Sequence, residues 1–152
     1  MTKEKIENIY GSDEFWSDID FVDGILDLFD KLGGRYNHSI VTHGREDNQK
    51  RKKEYLFSHP RFGIHLRNNV GYYEVPNNKS KSYIDMSDGI QIDDNCNNLI
   101  GTNARIKILF KNSINTDYNT DYGKFGNIDN LYIVNTIEEL EQILMFNLEF
   151  GL

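Results

Sequence analysis

A single cysteine, no long apolar run and a shortage of positive charge exclude more about this 152-residue chain than any motif in it establishes. With Cys96 alone, no internal disulfide can form and no thiolate cluster can hold zinc. Its setting, Asp93-Asp94-Asn95-Cys96-Asn97-Asn98, is acidic and polar, which disfavours a nucleophilic thiolate. No apolar stretch approaches the ~18 residues needed to span a bilayer. Met-Thr-Lys-Glu-Lys leads into acidic amphipathic sequence without the apolar core of a signal peptide, so a cytoplasmic location is expected. Lys and Arg total 17 against 24 Asp and Glu, a net charge of −7, which argues against general nucleic-acid binding.

Recognised chemical motifs are missing too. There is no HExxH, no paired cysteine and no EF-hand loop, and Asp88, Asp93 and Asp94 match no calcium-loop spacing. Gly33-Gly34 and Gly123-x-x-Gly126 resemble no nucleotide-binding fingerprint, because Gly33-Gly34 follows a helix rather than a strand. No metal or cofactor is implied. The 18 asparagines, with the Lys, Ile and Tyr usage, are typical of an AT-rich coding genome, such as those of certain bacteria and phages.

What is present is patterned charge and short apolar periodicity. Residues 1–35 carry four basic and nine acidic side chains, whereas 36–67 carry seven basic and three acidic. Phe15, Ile19, Val22, Leu26 and Phe29 step by three and four, predicting one helix over Ser17–Leu32 with a buried face. Ser17 and Asp20 resemble its capping box, and Gly33-Gly34 a left-handed stop. A short helix or turn is expected over Lys3–Tyr10. Asp20, Asp23, Asp27 and Asp30 form a second stripe on the long helix. Such like charges repel by roughly 0.2–0.5 kcal/mol per pair, so helix stability does not explain them. A basic partner would, and so would plain solvation.

From Tyr36 onward, short aromatic and β-branched segments predict strands at Asn37–Thr42, Glu54–Phe57, Arg61–Arg67, Val70–Val75, Tyr83–Met86 with Ile90–Ile92, Ala104–Phe110 and Leu131–Val134. Asn68-Asn69 suits a two-residue hairpin turn, placing Phe62, Ile64, Leu66, Tyr73 and Val75 on a core face. The opposite face would carry Arg61, His65, Arg67, Tyr72 and Glu74. Ile106, Ile108 and Phe110 alternate with Arg105, Lys107 and Leu109 as a half-buried strand. Thr136 and Glu139 cap a closing helix from Ile137 to about Leu148, with Ile137, Leu140 and Leu144 buried. Residues 46–53 read as a charged loop, and 115–126 as a loop built on a repeated Asn-Thr-Asp-Tyr. The expectation is one α+β domain over 1–152: a helical part at 1–35, strands through 36–134 and a helix at 136–150. Its antiparallel sheet would have about five to seven strands, with the N-terminal and C-terminal helices packed on it.

Two functions are expected from these residues. The first is a small acidic protein that binds and neutralises another protein. In general character it resembles a toxin-immunity protein or a phage inhibitor with anti-defence action. A basic partner, such as a nuclease-type toxin, would meet Asp20, Asp23, Asp27 and Asp30, with Tyr118 and Tyr122 as loop anchors. The alternative is an enzyme or binding protein for a phosphorylated or nucleotide ligand. Arg61, His65, Arg67 and Tyr72 would then hold the anion, and His65 would act with His38 or His43 in acid–base chemistry. The plain reading of that face is ordinary solvent-facing strand residues, part-neutralised by Glu74.

Overall fold

A computed structural model describes residues 2, 12–111 and 128–151, with backbone alone for 68–70. The chain divides into two compact units, Met1–Asn78 and Lys79–Leu152. Five α-helices and two small parallel sheets, of two and three strands, make up the described residues. The single antiparallel sheet expected above is therefore incorrect. Among the described residues no helix is long and apolar enough to cross a membrane.

In the first unit the expected long helix is two short ones, α1 (Asp13–Asp18) and α2 (Ile25–Leu32). Ser12, not Ser17, caps α1 by accepting a hydrogen bond from the Phe15 amide at 3.2 Å. The break has local causes. The Asp20 carboxylate accepts from the Phe21 amide at 2.7 Å, satisfying backbone outside a helix. Gly24 takes the left-handed conformation (φ 82°) and caps α2. The Gly33 stop falls where expected, but with right-handed rather than left-handed backbone. The predicted turn at Lys3–Tyr10 lies outside the described residues.

Strand β1 (His38–His43) pairs in parallel with β2 (Val70–Val75), from His38↔Val70 to His43↔Val75. Parallel neighbours need a crossover. It is supplied by α3 (Glu46–Ser58) and α4 (Phe62–Asn69), which replace the predicted charged loop, two strands and hairpin turn. Helix α3 escapes an apolar-period reading because Gln, Lys, Arg and Glu fill it. These are good helix formers, and Glu46 and Asp47 suit its positive end. In α4 the true buried pair is Phe62 and Leu66, four residues apart and each 3% exposed. Ile64, placed in the core by the hairpin register, is 52% exposed. The side chain of His59, just before Pro60, caps α4: its Nδ1 accepts from the amides of Arg61 (3.3 Å) and Phe62 (3.1 Å).

The second unit orders its strands β3 (Ile90–Asp93), β4 (Ile106–Phe110) and β5 (Leu131–Val134), all parallel, with helix α5 (Ile137–Phe150) following. Tyr83–Met86 is not a strand; Lys81–Tyr83 forms a 3₁₀ turn instead. Every residue of β4 is buried, Lys107 and Leu109 included, as in a parallel sheet covered on both faces. Cys96, Leu99 and Leu109 form a core cluster against Ile128 and Leu131. Thr136 caps α5 as its sequence foretells, accepting from Glu139 N at 3.2 Å, while the Glu139 carboxylate reaches back to Asn135 N at 2.6 Å. Leu140 and Leu144 are buried and Ile137 is half-buried.

Asp93, from the predicted acidic cluster, serves this packing. Its Oδ2 pairs with Lys81 Nζ at 2.6 Å, with both side chains largely buried. Its Oδ1 accepts from Asn95 N (3.0 Å) and Asn98 Nδ2 (2.9 Å), tying a second 3₁₀ turn to the end of β3. Burial and the neighbouring Asp93 charge raise the Asp94 carboxyl above its ordinary value. Removing one partner of a buried pair leaves the other charge uncompensated, at a typical cost of about 3 kcal/mol. Lys81→Met is expected to lower the unfolding free energy by about that much in denaturant titrations. A loss within about 0.5 kcal/mol, typical of surface sites, would mean that solvent already screens the pair.

Candidate functional site

The acidic stripe and the basic segment, two rival sites in the sequence, meet each other in the fold. Arg61, immediately before α4, donates to Asp27 Oδ1 at 2.7 Å and to Asp30 Oδ2 at 2.5 Å. His65, one turn further along α4, lies 2.8 Å from Asp30 Oδ1. Bonds from Arg61 and then His65 hold the Asp30 carboxyl below its ordinary value. The pairs are solvated and contribute little stability, but Arg61 and His65 face carboxylates rather than an open anion site. Arg67 instead donates from Nε to Gly63 O at 3.1 Å.

Tyr72 does not share a face with these residues, because it lies on β2, whereas His65 and Arg67 lie on α4 and Arg61 just before it. Its hydroxyl is buried with no hydrogen-bond partner among the described residues, and burial, with Glu74 second, pushes its pKa up to about 12. His38 and His65 flank the Phe29 ring, with centroids 5.0 and 6.0 Å away. His38 Nε2 lies 3.3 Å from Gly33 O, and a Cβ on Gly33 would sit 2.8 Å from His65 Nδ1, so only glycine allows this approach. His43, the other suggested catalytic partner, is at the far end of β1. Asp20 and Asp23 lie in the segment between α1 and α2. Tyr118 and Tyr122 lie outside the described residues. Among the described residues no group of three His, Cys, Asp or Glu side chains is arranged to hold a metal.

A different place has the form of a binding site. A cleft of about 490 Å³ opens where β1 ends and α3 begins, the carboxyl edge of the parallel strand pair. Parallel α/β layers commonly hold ligands at that edge, beside a helix N-terminus. Phe15 and Trp16 of α1, Phe21 of the following segment and Tyr55 of α3 supply aromatic walls. Their rings already pack together: Phe15 on Trp16 at 5.3 Å, Trp16 near Tyr55 at 6.1 Å, and Phe21 stacked on Tyr55 at 6.1 Å. The Tyr55 hydroxyl donates to Ile19 O at 2.9 Å, anchoring α3 to the α1–α2 segment. Burial, with Asp20 second, raises its pKa.

Asp20, His43, Asn48, Gln49 and Lys52 bring polar groups to the same cleft. Lys52 donates to Thr42 Oγ1 at 2.8 Å. Gln49 is 5% exposed; its Nε2 donates to Gly44 O (2.8 Å) and Val75 O (3.1 Å), and Oε1 is buried, with no donor to it among the described residues. Sequence reading missed this site. Phe15 and Ile19 looked like one buried helix face, and Gln49 lay in what resembled a loop. Of its lining residues only His43 and Asp20 stand out in the sequence, one as a catalytic partner and the other in the acidic stripe.

The His38 side chain gives a pH test of the α2–β1 packing. Burial lowers its pKa below 6.5; the bond to Gly33 O opposes this and the nearby His65 adds to it. The unfolded chain therefore takes up this proton first as pH falls. Stability is complete above pH 6.5 and is lost as pH drops from there through the lower folded-state value. His38→Phe keeps a ring against Phe29 and removes the titration. Relative to that variant, the wild-type melting temperature is expected to fall below pH 6.5; parallel profiles would show that His38 carries no such linkage. In comparisons with known proteins, no family model matches the chain and no curated protein matches it, so the functional reading stands on the geometry.

Proposed function

We propose that the first unit binds a small molecule in the aromatic cleft between α1 and α3. One observation carries this reading: a concavity of about 490 Å³ walled by four aromatic rings, with polar side chains of Asp20, His43, Asn48 and Lys52 at the same cleft. Small-molecule sites have this character, mostly apolar walls with a few placed polar groups in about 300–1,000 Å³. The ligand-binding alternative drawn from the sequence thus moves from His65, Arg61 and Arg67 to a site that includes His43. Trp16 is the only tryptophan and lines the cleft, so its emission reports occupancy. Titration with nucleosides, indoles and flavins is expected to change Trp16 emission for at least one class and raise the melting temperature. Phe21→Ala should weaken that response about tenfold, the scale of one lost stacking contact. Unchanged emission and melting with all three classes would overturn the proposal.

Neutralisation of a protein partner is the second reading, and a specific observation supports it. Asp18, Asp20 and Asp23 are exposed, Asp20 at the cleft, and among the described residues no ion pair engages them, unlike Asp27 and Asp30. The docking stripe would then be its first half, extended by Asp18, and would act by long-range steering of a basic protein. Combined Asp18→Asn, Asp20→Asn and Asp23→Asn should slow association with a basic nuclease-type partner by about tenfold at low salt, and less at high salt. An unchanged association rate at low salt would leave these carboxylates as a solvated face.

A further inference from the structure

We propose that the cleft takes an organic cation, an aromatic ring carrying a protonated amine, with the ring among the aromatic walls and the ammonium at Asp20. The inference rests on the cleft being a ligand site and goes on to name the ligand's chemistry. Three features lead to it.

The first is the makeup of the walls. Phe15, Trp16, Phe21 and Tyr55 all line the cleft. A cation is drawn to the faces of such rings, and to Trp most strongly. The rings are set at angles, 90° between Phe15 and Trp16 and 47° between Trp16 and Tyr55. Rings at an angle to one another can offer a cation more than one π-face. The same rings can stack on a flat ligand or meet it edge-on.

The second is a carboxylate held at the same place. Asp20 lines the cleft and is exposed. Its Oδ1 accepts from the amide of Phe21, itself a wall residue, at 2.7 Å. Its charge also contributes, after burial, to the raised pKa of Tyr55, so the carboxylate acts on a second wall residue.

The third is the one-sided charge of the segment that supplies Asp20. Residues 13–30 hold seven acidic side chains and no Lys, Arg or His. Arg51 pairs with Asp13, and Arg61 with Asp27 and Asp30. Among the described residues no ion pair engages Glu14, Asp18, Asp20 or Asp23, so this segment keeps a negative potential. The basic side chains at the cleft, His43 and Lys52, come from β1 and α3 instead, and the Lys52 ammonium already donates to Thr42 Oγ1 at 2.8 Å. A ligand anion at Asp20 would be repelled, and a neutral ring would leave the carboxylate unanswered. An ammonium answers it.

The test holds the ring constant and changes the charge. Tryptamine (an ammonium at neutral pH), tryptophol (a neutral hydroxyl in its place) and indole-3-acetate (a carboxylate) are titrated by calorimetry, since their own emission overlaps that of Trp16. Tryptamine is expected to bind about tenfold more tightly than tryptophol, the scale of one cation–π contact, and indole-3-acetate most weakly. Added salt should narrow the gap. Asp20→Asn keeps an acceptor for the Phe21 amide and removes the charge. In that variant the tryptamine-to-tryptophol affinity ratio is expected to fall to near one, with the melting temperature checking that the fold is kept.

Equal affinities for all three indoles, or tightest binding of indole-3-acetate, would overturn the cation assignment while leaving the cleft a ligand site. A preference undiminished in a folded Asp20→Asn variant would overturn the role of Asp20. Binding of nucleosides or flavins without any indole would overturn the aromatic-ammonium assignment alone. If no aromatic compound binds, the cleft reading itself fails.

Discussion

The arrangement of the first unit turns on one buried amide. Gln49 sits in the first turn of α3 and donates to Gly44 O, just past β1, and to Val75 O, the last residue of β2. Those carbonyls lie at the ends of adjacent parallel strands, where the ladder stops and buried acceptors would otherwise lose their partners. A single side chain thus closes the edge of the strand pair and fixes the start of the crossover.

Charge follows a similar economy. The sequence separates an acidic first segment from a basic second one, and the helical crossover brings part of each together. Arg61 between Asp27 and Asp30, with His65 on the second carboxylate, removes the repulsion that made the aspartates conspicuous. Exposed pairs of this sort are worth little in stability. Their consequence is to divide the stripe, leaving Asp18, Asp20 and Asp23 outside that cluster. The basic run disperses as well: Arg51 pairs with Asp13, Lys52 donates to Thr42, and Lys53 lies 4.0 Å from Glu74. A helix turns successive residues about 100° apart, so a cluster in sequence becomes a ring of separate contacts.

The second unit shows what burial on both faces does to a strand's pattern. Ile106, Ile108 and Phe110 alternate with Lys107 and Leu109, which reads as one wet face, yet all five are buried. Gln91 and Lys107 are adjacent in register and each less than a tenth exposed, so this sheet keeps polar side chains inside. Asp93 shows the compensation such burial demands: an ammonium, an amide side chain and a backbone amide surround one carboxylate.

Local chemistry was legible in the sequence. It located the strands now seen at His38–His43, Val70–Val75, Ile90–Asp93, Ile106–Phe110 and Leu131–Val134, and the capped C-terminal helix, because β-branched runs and a Thr-x-x-Glu box act over a few residues. It misassigned Glu54–Phe57 and Arg61–Arg67, where Phe62, Ile64 and Leu66 fit period two as well as the Phe62–Leu66 spacing fits a helix. Only tertiary structure could choose, since exposing Ile64 is tolerable when Phe62 and Leu66 both find a core. Parallel rather than antiparallel pairing was likewise set by the helical crossover and not by the strands' own residues. The cleft belongs wholly to that level. Trp16, Phe21, Gln49 and Tyr55 look unremarkable in sequence, and become a site because α1 and α3 meet at the end of β1.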